Sequence, residues 1–188
     1  EEIISLFDIT KIHKAGAMFN EEKLLWMNKE HLRLQPKEEQ MVQVQKYFTS
    51  YDASLLERLL PTIIDRISTY GKLHGIEESE FRFFITPPLV DTDSLQKIIW
   101  KDKDLGEARM HLSAVAAILE SADFSTATSV KDAIMPYAEA QGKGNVLWPL
   151  RMTLSGQEKS VDPFTICYVL GKDEVKERIS RVINAIDS

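Results

Sequence analysis

One cysteine in 188 residues, Cys167, leaves no internal disulfide and no multi-cysteine zinc site within the chain. A reducing, cytosolic setting suits that usage. No apolar run approaches the roughly 20 residues that cross a bilayer. The opening EEIISLFDIT is acidic and too short in apolar length for a signal peptide. It lacks an initiator Met and opens in what reads as mid-element, so the expectation is a fragment excised from a longer protein. Excess positive charge is missing as well. A net charge of -6 argues against a nonspecific nucleic-acid binder, which needs a basic face.

Catalytic patterns are also absent. His13, His31, His74 and His111 are scattered, with no His-x-x-x-His or His-x-x-Glu-His spacing for a metal. Gly142-Lys143-Gly144 lacks the third glycine of a dinucleotide loop and follows a helix rather than a strand. Asp102-x-Asp104-x-Gly106 has its glycine one place early for a calcium loop, and Ser113 stands where glutamate is needed. Cys167 lies between Ile166 and Val169 and reads as a buried, inert thiol. Strand signals are nearly absent too. Phe81 to Ile85 is short, and Thr165 to Val169 reads as helix between its caps.

What remains is helical periodicity, and 44% hydrophobic residues suffice to bury a core. Residues 1–19 carry Leu6, Ile12 and Ala15-Gly16-Ala17 in an irregular or short-helix stretch. Asn20 then caps a helix with Glu21 and Glu22 in its first turn. Pro36 fits the N1 position of another, running to Phe48. Asp52 caps a helix with apolar positions from Leu55 to Ile67, bent at Pro61 and closed by Gly71 and Gly75. Glu77 to Phe84 reads as one short helix, and Thr92 to Trp100 is ambiguous. Asp102 or Asp104 caps the next, and Ser125 or Ser129 the one after, kinked at Pro136 and ended by Gly142 and Gly144. Val146 to Leu154 continues helically with Pro149 near its start. Asp162-Pro163 is an N-cap followed by proline at N1, and Gly171 a natural C′ residue. The last helix shows Val175, Ile179, Val182, Ile183 and Ile186 on one face. The expected class is all-α, a bundle or cage of two packed helical subdomains with a boundary near residues 85–103.

Two stretches carry a family resemblance. Trp148-Pro149-Leu150-Arg151, Leu154-Ser155-Gly156, Pro163-Phe164 and Leu170-Gly171-Lys172 resemble the C-terminal signature of bacterial-type glutamyl-tRNA synthetases. Phe19-Asn20-Glu21-Glu22-Lys23-Leu24-Leu25-Trp26-Met27-Asn28 resembles the same family's Phe-Asp/Asn-x-x-Lys-Leu-x-Trp-Leu-Asn motif, which leads into its helical anticodon-binding part. The resemblance implies residues 1–34 as the connection from an upstream domain, 35–100 as a first helical anticodon-binding subdomain and 101–188 as a second. The family's His-Ile-Gly-His-like and Lys-Met-Ser-Lys-Ser-like motifs do not occur here. The implied chain therefore binds and does not catalyse. ATP and Mg would belong to a catalytic domain covalently continuous with it. The implied partner is glutamate tRNA, with glutamine tRNA as a second candidate, and the implied state a cytoplasmic monomer. A helical protein-interaction module without RNA is the alternative that the acidic charge would suit.

Anticodon readers hold splayed-out bases on aromatic or guanidinium planes and bond their edges. The resemblance places Arg151 against the anticodon; the bland alternative is a surface salt bridge, for instance with Glu158. It places Ser160, Val161 and Pro163 in a loop that meets the outer bases, where a helix start also offers backbone N–H groups. Trp148 and Phe164 could stack on bases, but each sits in an apolar pattern that suits core packing. Lys143 and Lys159 are candidate phosphate contacts. Arg66, or in another register Ile64, stands nearest to an arginine that reads the third anticodon base in the family.

Overall fold

The computed structural model describes residues 4, 5, 7–11 and 18–188; Leu6, Ile12, His13 and residues 15–17 lie outside them. Helix α1 spans Glu21–Leu34, and the Asn20 side chain accepts from the Lys23 amide at 2.9 Å. Helix α2 spans Lys37–Gln45. Pro36 stands at its N-cap rather than at N1, and a turn replaces the helix before the fully buried Phe48. Helix α3 spans Ala53–Arg66, with Asp52 accepting from the Leu55 amide at 2.9 Å. It runs through Pro61 and buries Leu56, Leu59, Leu60, Ile63 and Ile64. The helix ends well before Gly71. Ile67 turns to extended backbone, φ -111° and ψ 153°, and enters the core from there.

The next stretch departs from the expected single helix. A 3-10 turn at Tyr70–Leu73 is followed by a π turn at Glu77–Phe81 and a 3-10 turn at Arg82–Phe84. The reason lies in the aromatics. Phe81, Phe83 and Phe84 are all buried, yet a regular helix at about 100° per residue would spread them around its circumference. Irregular turns bring them together instead. Phe83 and Phe84 pack at 4.3 Å between ring centroids, and Phe81 meets Phe48 at 5.7 Å.

The ambiguous stretch forms helix α4, Thr92–Ile98, started by a capping box between Asp91 and Ser94. Helix α5, Leu105–Ser121, is capped by Asp104, which accepts from the Glu107 amide at 2.8 Å. Helix α6, Ala127–Gln141, is capped by neither candidate serine. Thr126 Oγ1 accepts from the Ser129 amide at 3.0 Å, while Ser125 is held by Asp123. Gly142, at φ 93°, makes the joint to helix α7, Lys143–Ser155, and Pro149 sits mid-helix in it. Helix α8 spans Pro163–Leu170 and helix α9 Lys172–Ile186, joined at Gly171. Among the described residues there is no strand. The molecule is all-α.

Helix α7 is the centre of the second half: α4, α5, α6, α8 and α9 all pack on it. It is correspondingly apolar on several sides, burying Val146, Leu150, Met152 and Leu154. Helices α1 and α2 pack on α3, and α3 reaches across to α8.

Gly144 does not end a helix; it lies inside α7 because of a close approach. A Cβ there would sit 2.3 Å from Trp100 Nε1 and 2.5 Å from its Cε2. That ring is wedged against Trp148, 5.1 Å between centroids, and Trp148 Nε1 donates to the Lys97 carbonyl at 2.9 Å. Gly144→Ala is therefore expected to cost about 1–3 kcal/mol by overpacking. That outweighs the roughly 1 kcal/mol gained from helix propensity. Urea denaturation followed by tryptophan fluorescence checks it, and an unchanged or higher midpoint would contradict the packing argument.

Two side chains from the second half cap carbonyls in the irregular stretch. Arg178 Nη1 donates to the Phe83 carbonyl at 2.8 Å and the Leu154 carbonyl at 2.6 Å, while its Nε donates to Glu174 at 2.7 Å. Gln157 Nε2 donates to the Ser79 carbonyl at 3.2 Å. Arg178 is only 3% exposed. Its burial pulls the guanidinium pKa below the ordinary value, and the Glu174 carboxylate opposes that shift.

Candidate nucleic-acid interface

The end of α7 is shaped by three polar contacts. Gly156 takes the left-handed conformation, φ 65° and ψ 8°, and its amide donates to the Met152 carbonyl at 2.9 Å. Ser155 Oγ donates to the Arg151 carbonyl at 2.8 Å and accepts from the Gln157 amide at 3.1 Å. The chain then loops through Glu158 and Lys159, both exposed, to Ser160.

Arg151 holds that loop. Its Nη1 donates to the Ser160 carbonyl at 2.9 Å, to Ser160 Oγ at 3.0 Å and to the Val161 carbonyl at 3.1 Å. Ser160 Oγ donates in turn to the Val161 carbonyl at 2.9 Å. The salt bridge with Glu158 is not formed. Among the described residues one nitrogen thus makes all of the guanidinium's hydrogen bonds, and Nε and Nη2 of the half-buried group are left without a partner there. A planar cation with an anchored edge and free donors suits the edge or face of a base.

The helix start after the loop offers less than expected. Asp162 Oδ1 accepts from the Phe164 amide at 3.1 Å and the Thr165 amide at 3.0 Å. Pro163 has no N–H, and the Ile166 amide donates to the Asp162 carbonyl at 3.1 Å. No free amide remains in that turn for a phosphate, and the Asp162 carboxylate adds a negative charge there.

The structure brings Arg151, Ser160, Val161 and Pro163 to one place, with exposed Lys159 beside them. Val161 is 6% exposed, Phe164 8%, and Pro163 is buried, so their contribution at the surface comes mainly from backbone. Trp148 lies on the α4 side of α7, tied to Lys97 and Trp100. Lys143 sits at the far end of α7 and pairs with Glu139 at 3.1 Å. Arg66 pairs with Glu80 at 3.2 Å, both side chains about two-fifths exposed, whereas Ile64 is buried in the core. Gln157 brings the Arg66 neighbourhood to the loop, because its Ser79 contact lies next to Glu80.

Away from this loop, His111 and Cys167 are buried. His111 Nδ1 lies 2.9 Å from the Tyr137 hydroxyl, with burial lowering the ring's pKa. Cys167 is fully buried, and burial pushes its thiol pKa well above the ordinary range. Among the described residues no group of three or more His, Cys, Asp or Glu is placed to hold a metal. No helix among them is long and apolar enough to cross a membrane. Arg178 and Gln157 were missed in the sequence. Arg178 does carry a signal: it falls on the apolar stripe of Val175, Ile179 and Val182.

Comparison with known proteins places these features in a family. The model of the anticodon binding domain matches residues 39–183. The glutamate–tRNA ligase of Bacteroides thetaiotaomicron is 30% identical over 192 residues, covering 99% of this chain and 36% of that protein. Glutamate–tRNA ligase 1 of Fervidobacterium nodosum is 29% identical over 186 residues, covering 98% of this chain and 37% of that protein. Among solved structures, the glutamate tRNA ligase of Elizabethkingia meningosepticum in complex with its amino acid superposes with a TM-score of 0.69 at 27% identity. That match covers 97% of this chain and 36% of that one. The chain thus spans little more than a third of the relatives it matches.

Proposed function

Because the chain belongs to the anticodon binding domain family, we propose that it is the tRNA anticodon-binding module of a glutamate–tRNA ligase. It positions glutamate tRNA by its anticodon so that the acceptor end reaches a catalytic domain in the same polypeptide, where ATP and Mg serve aminoacylation. Residues 1–34 connect to the upstream part, 35–100 form the first anticodon-binding subdomain and 101–188 the second. The module works as a cytoplasmic monomer, and glutamine tRNA is the second candidate partner for the same surface.

The observation that carries this reading is the Arg151 cradle. Its anchored edge fixes the guanidinium, and its free donors face a base. The Ser160 and Val161 backbone, with Pro163 at the helix start, borders that base. Lys159 adds a phosphate contact at the loop and Lys143 a more distant one. Arg66 reads a neighbouring nucleotide, while Phe164 supports the loop from the core and Trp148 holds α7 against α4. An acidic chain with few basic contacts binds RNA weakly outside these points, which keeps release fast.

A fluorescence titration with the glutamate-tRNA anticodon stem-loop and the same stem with a swapped anticodon tests this. A lost base contact of about 1.4 kcal/mol corresponds to roughly tenfold weaker binding of the swapped loop at physiological salt. Equal affinity for both loops, or no binding to either at low salt, would overturn the reading.

A further inference from the structure

Gln157 has a geometry that the reading of the anticodon surface does not use. Its backbone is fixed twice over, by the left-handed Gly156 before it and by its own amide donating to Ser155 Oγ at 3.1 Å. From that fixed base the side chain crosses to the first half of the molecule. Nε2 meets the Ser79 carbonyl, 78 residues away in sequence, at 3.2 Å.

The target is a π turn, a backbone form that leaves carbonyls out of the regular helical ladder. Ser79 is the neighbour of Glu80, and Glu80 Oε2 pairs with Arg66 Nη1 at 3.2 Å. The same turn is closed on its own side by Ser79 Oγ donating to the Gly75 carbonyl at 2.9 Å and by Arg82 pairing with Glu78 at 3.0 Å. The Gln157 side chain therefore joins the Arg151 loop to the turn that carries the partner of Arg66. Arg178 joins the two halves as well, but it is buried, whereas Gln157 is half-buried at the surface.

We propose that Gln157 is a positioning residue that couples Arg66, through Ser79 and Glu80, to the Arg151 loop, so that the two arginines read adjacent nucleotides as one surface. The inference rests on the anticodon-binding reading. Without the Gln157 contact, the π turn and the loop lose their fixed spacing at the surface. Arg151 keeps its cradle, since all three of its acceptors lie in its own loop.

The test uses stem-loops changed at one anticodon position at a time, titrated against the whole chain and its Gln157→Ala, Gln157→Glu, Arg66→Ala and Gln157→Ala/Arg66→Ala variants. Glutamate keeps the shape but cannot donate to a carbonyl. The bond is at the surface, so the melting temperatures should stay close to wild type and separate positioning from folding. In both Gln157 variants, discrimination at one anticodon position is expected to fall by about threefold to tenfold, while discrimination at the position read by Arg151 is retained. Arg66→Ala should lose the same position, and the double variant should lose no more than Arg66→Ala alone. Unchanged discrimination in the Gln157 variants, or losses that add in the double variant, would overturn the coupling and leave the Arg151 reading intact. A wild-type chain that discriminates at no position would overturn both.

Discussion

Arg178→Ala is expected to destabilise the chain by about 3–5 kcal/mol, chiefly the cost of leaving two buried carbonyls without their donor. Three groups lose their donor at once: the carbonyls of Phe83 and Leu154 and the Glu174 carboxylate. Each buried carbonyl left unpaired costs about 1–3 kcal/mol, and removing a side chain that is 3% exposed also leaves a cavity. A domain of this kind has about 5–15 kcal/mol in total, so the variant should melt far below wild type. Arg178→Met, which refills the volume but donates nothing, should recover only the packing part. Chemical denaturation checks both, and a loss under about 1 kcal/mol for Arg178→Ala would show that the two carbonyls find other donors.

The second large effect falls on recognition. Arg151→Lys keeps the positive charge and can still reach the Ser160 and Val161 carbonyls, so the loop should hold and the melting temperature should change little. The planar fork, however, is gone. Discrimination worth about 1–3 kcal/mol per well-made pair of bonds to a base edge should go with it. Total affinity at low salt should change much less, because the charge remains for the phosphate backbone. Arg151→Ala removes the loop's holder as well, and its larger loss mixes base contact with loop order.

Much of the fold was legible because its signals are local. Asn20, Asp52, Asp104 and the Asp162-Pro163 pair each stand within three residues of the amides they bond or the turn they start. The apolar stripe of α9 is a plain 3.6-residue repeat. The misses have equally physical causes. Ser125, Thr126 and Ser129 all satisfy the local rule for an N-cap, and only the backbone path selects Thr126. Gly144 reads as a helix end until Trp100, distant in sequence, is brought against it. The stretch at 77–84 had helical residues, but the three phenylalanines demanded burial that one helix could not give.

The site shows the same division. Family resemblance selected Arg151 and the Ser160 loop, yet sequence proximity suggested Glu158 as a partner, and the folded loop leaves Glu158 exposed. The contact of Gln157 with Ser79 spans the two halves and has no sequence pattern at all.

The most direct test of the central claim is a four-way titration: wild type and Arg151→Lys, each against the cognate anticodon stem-loop and the swapped one, at low and physiological salt. Base reading at the Arg151 cradle predicts that the wild-type preference falls by roughly tenfold in the variant, to what the position read by Arg66 supplies, with similar salt dependence for both proteins. A preference that survives Arg151→Lys unchanged would contradict the account and move the reading of the anticodon elsewhere on the molecule.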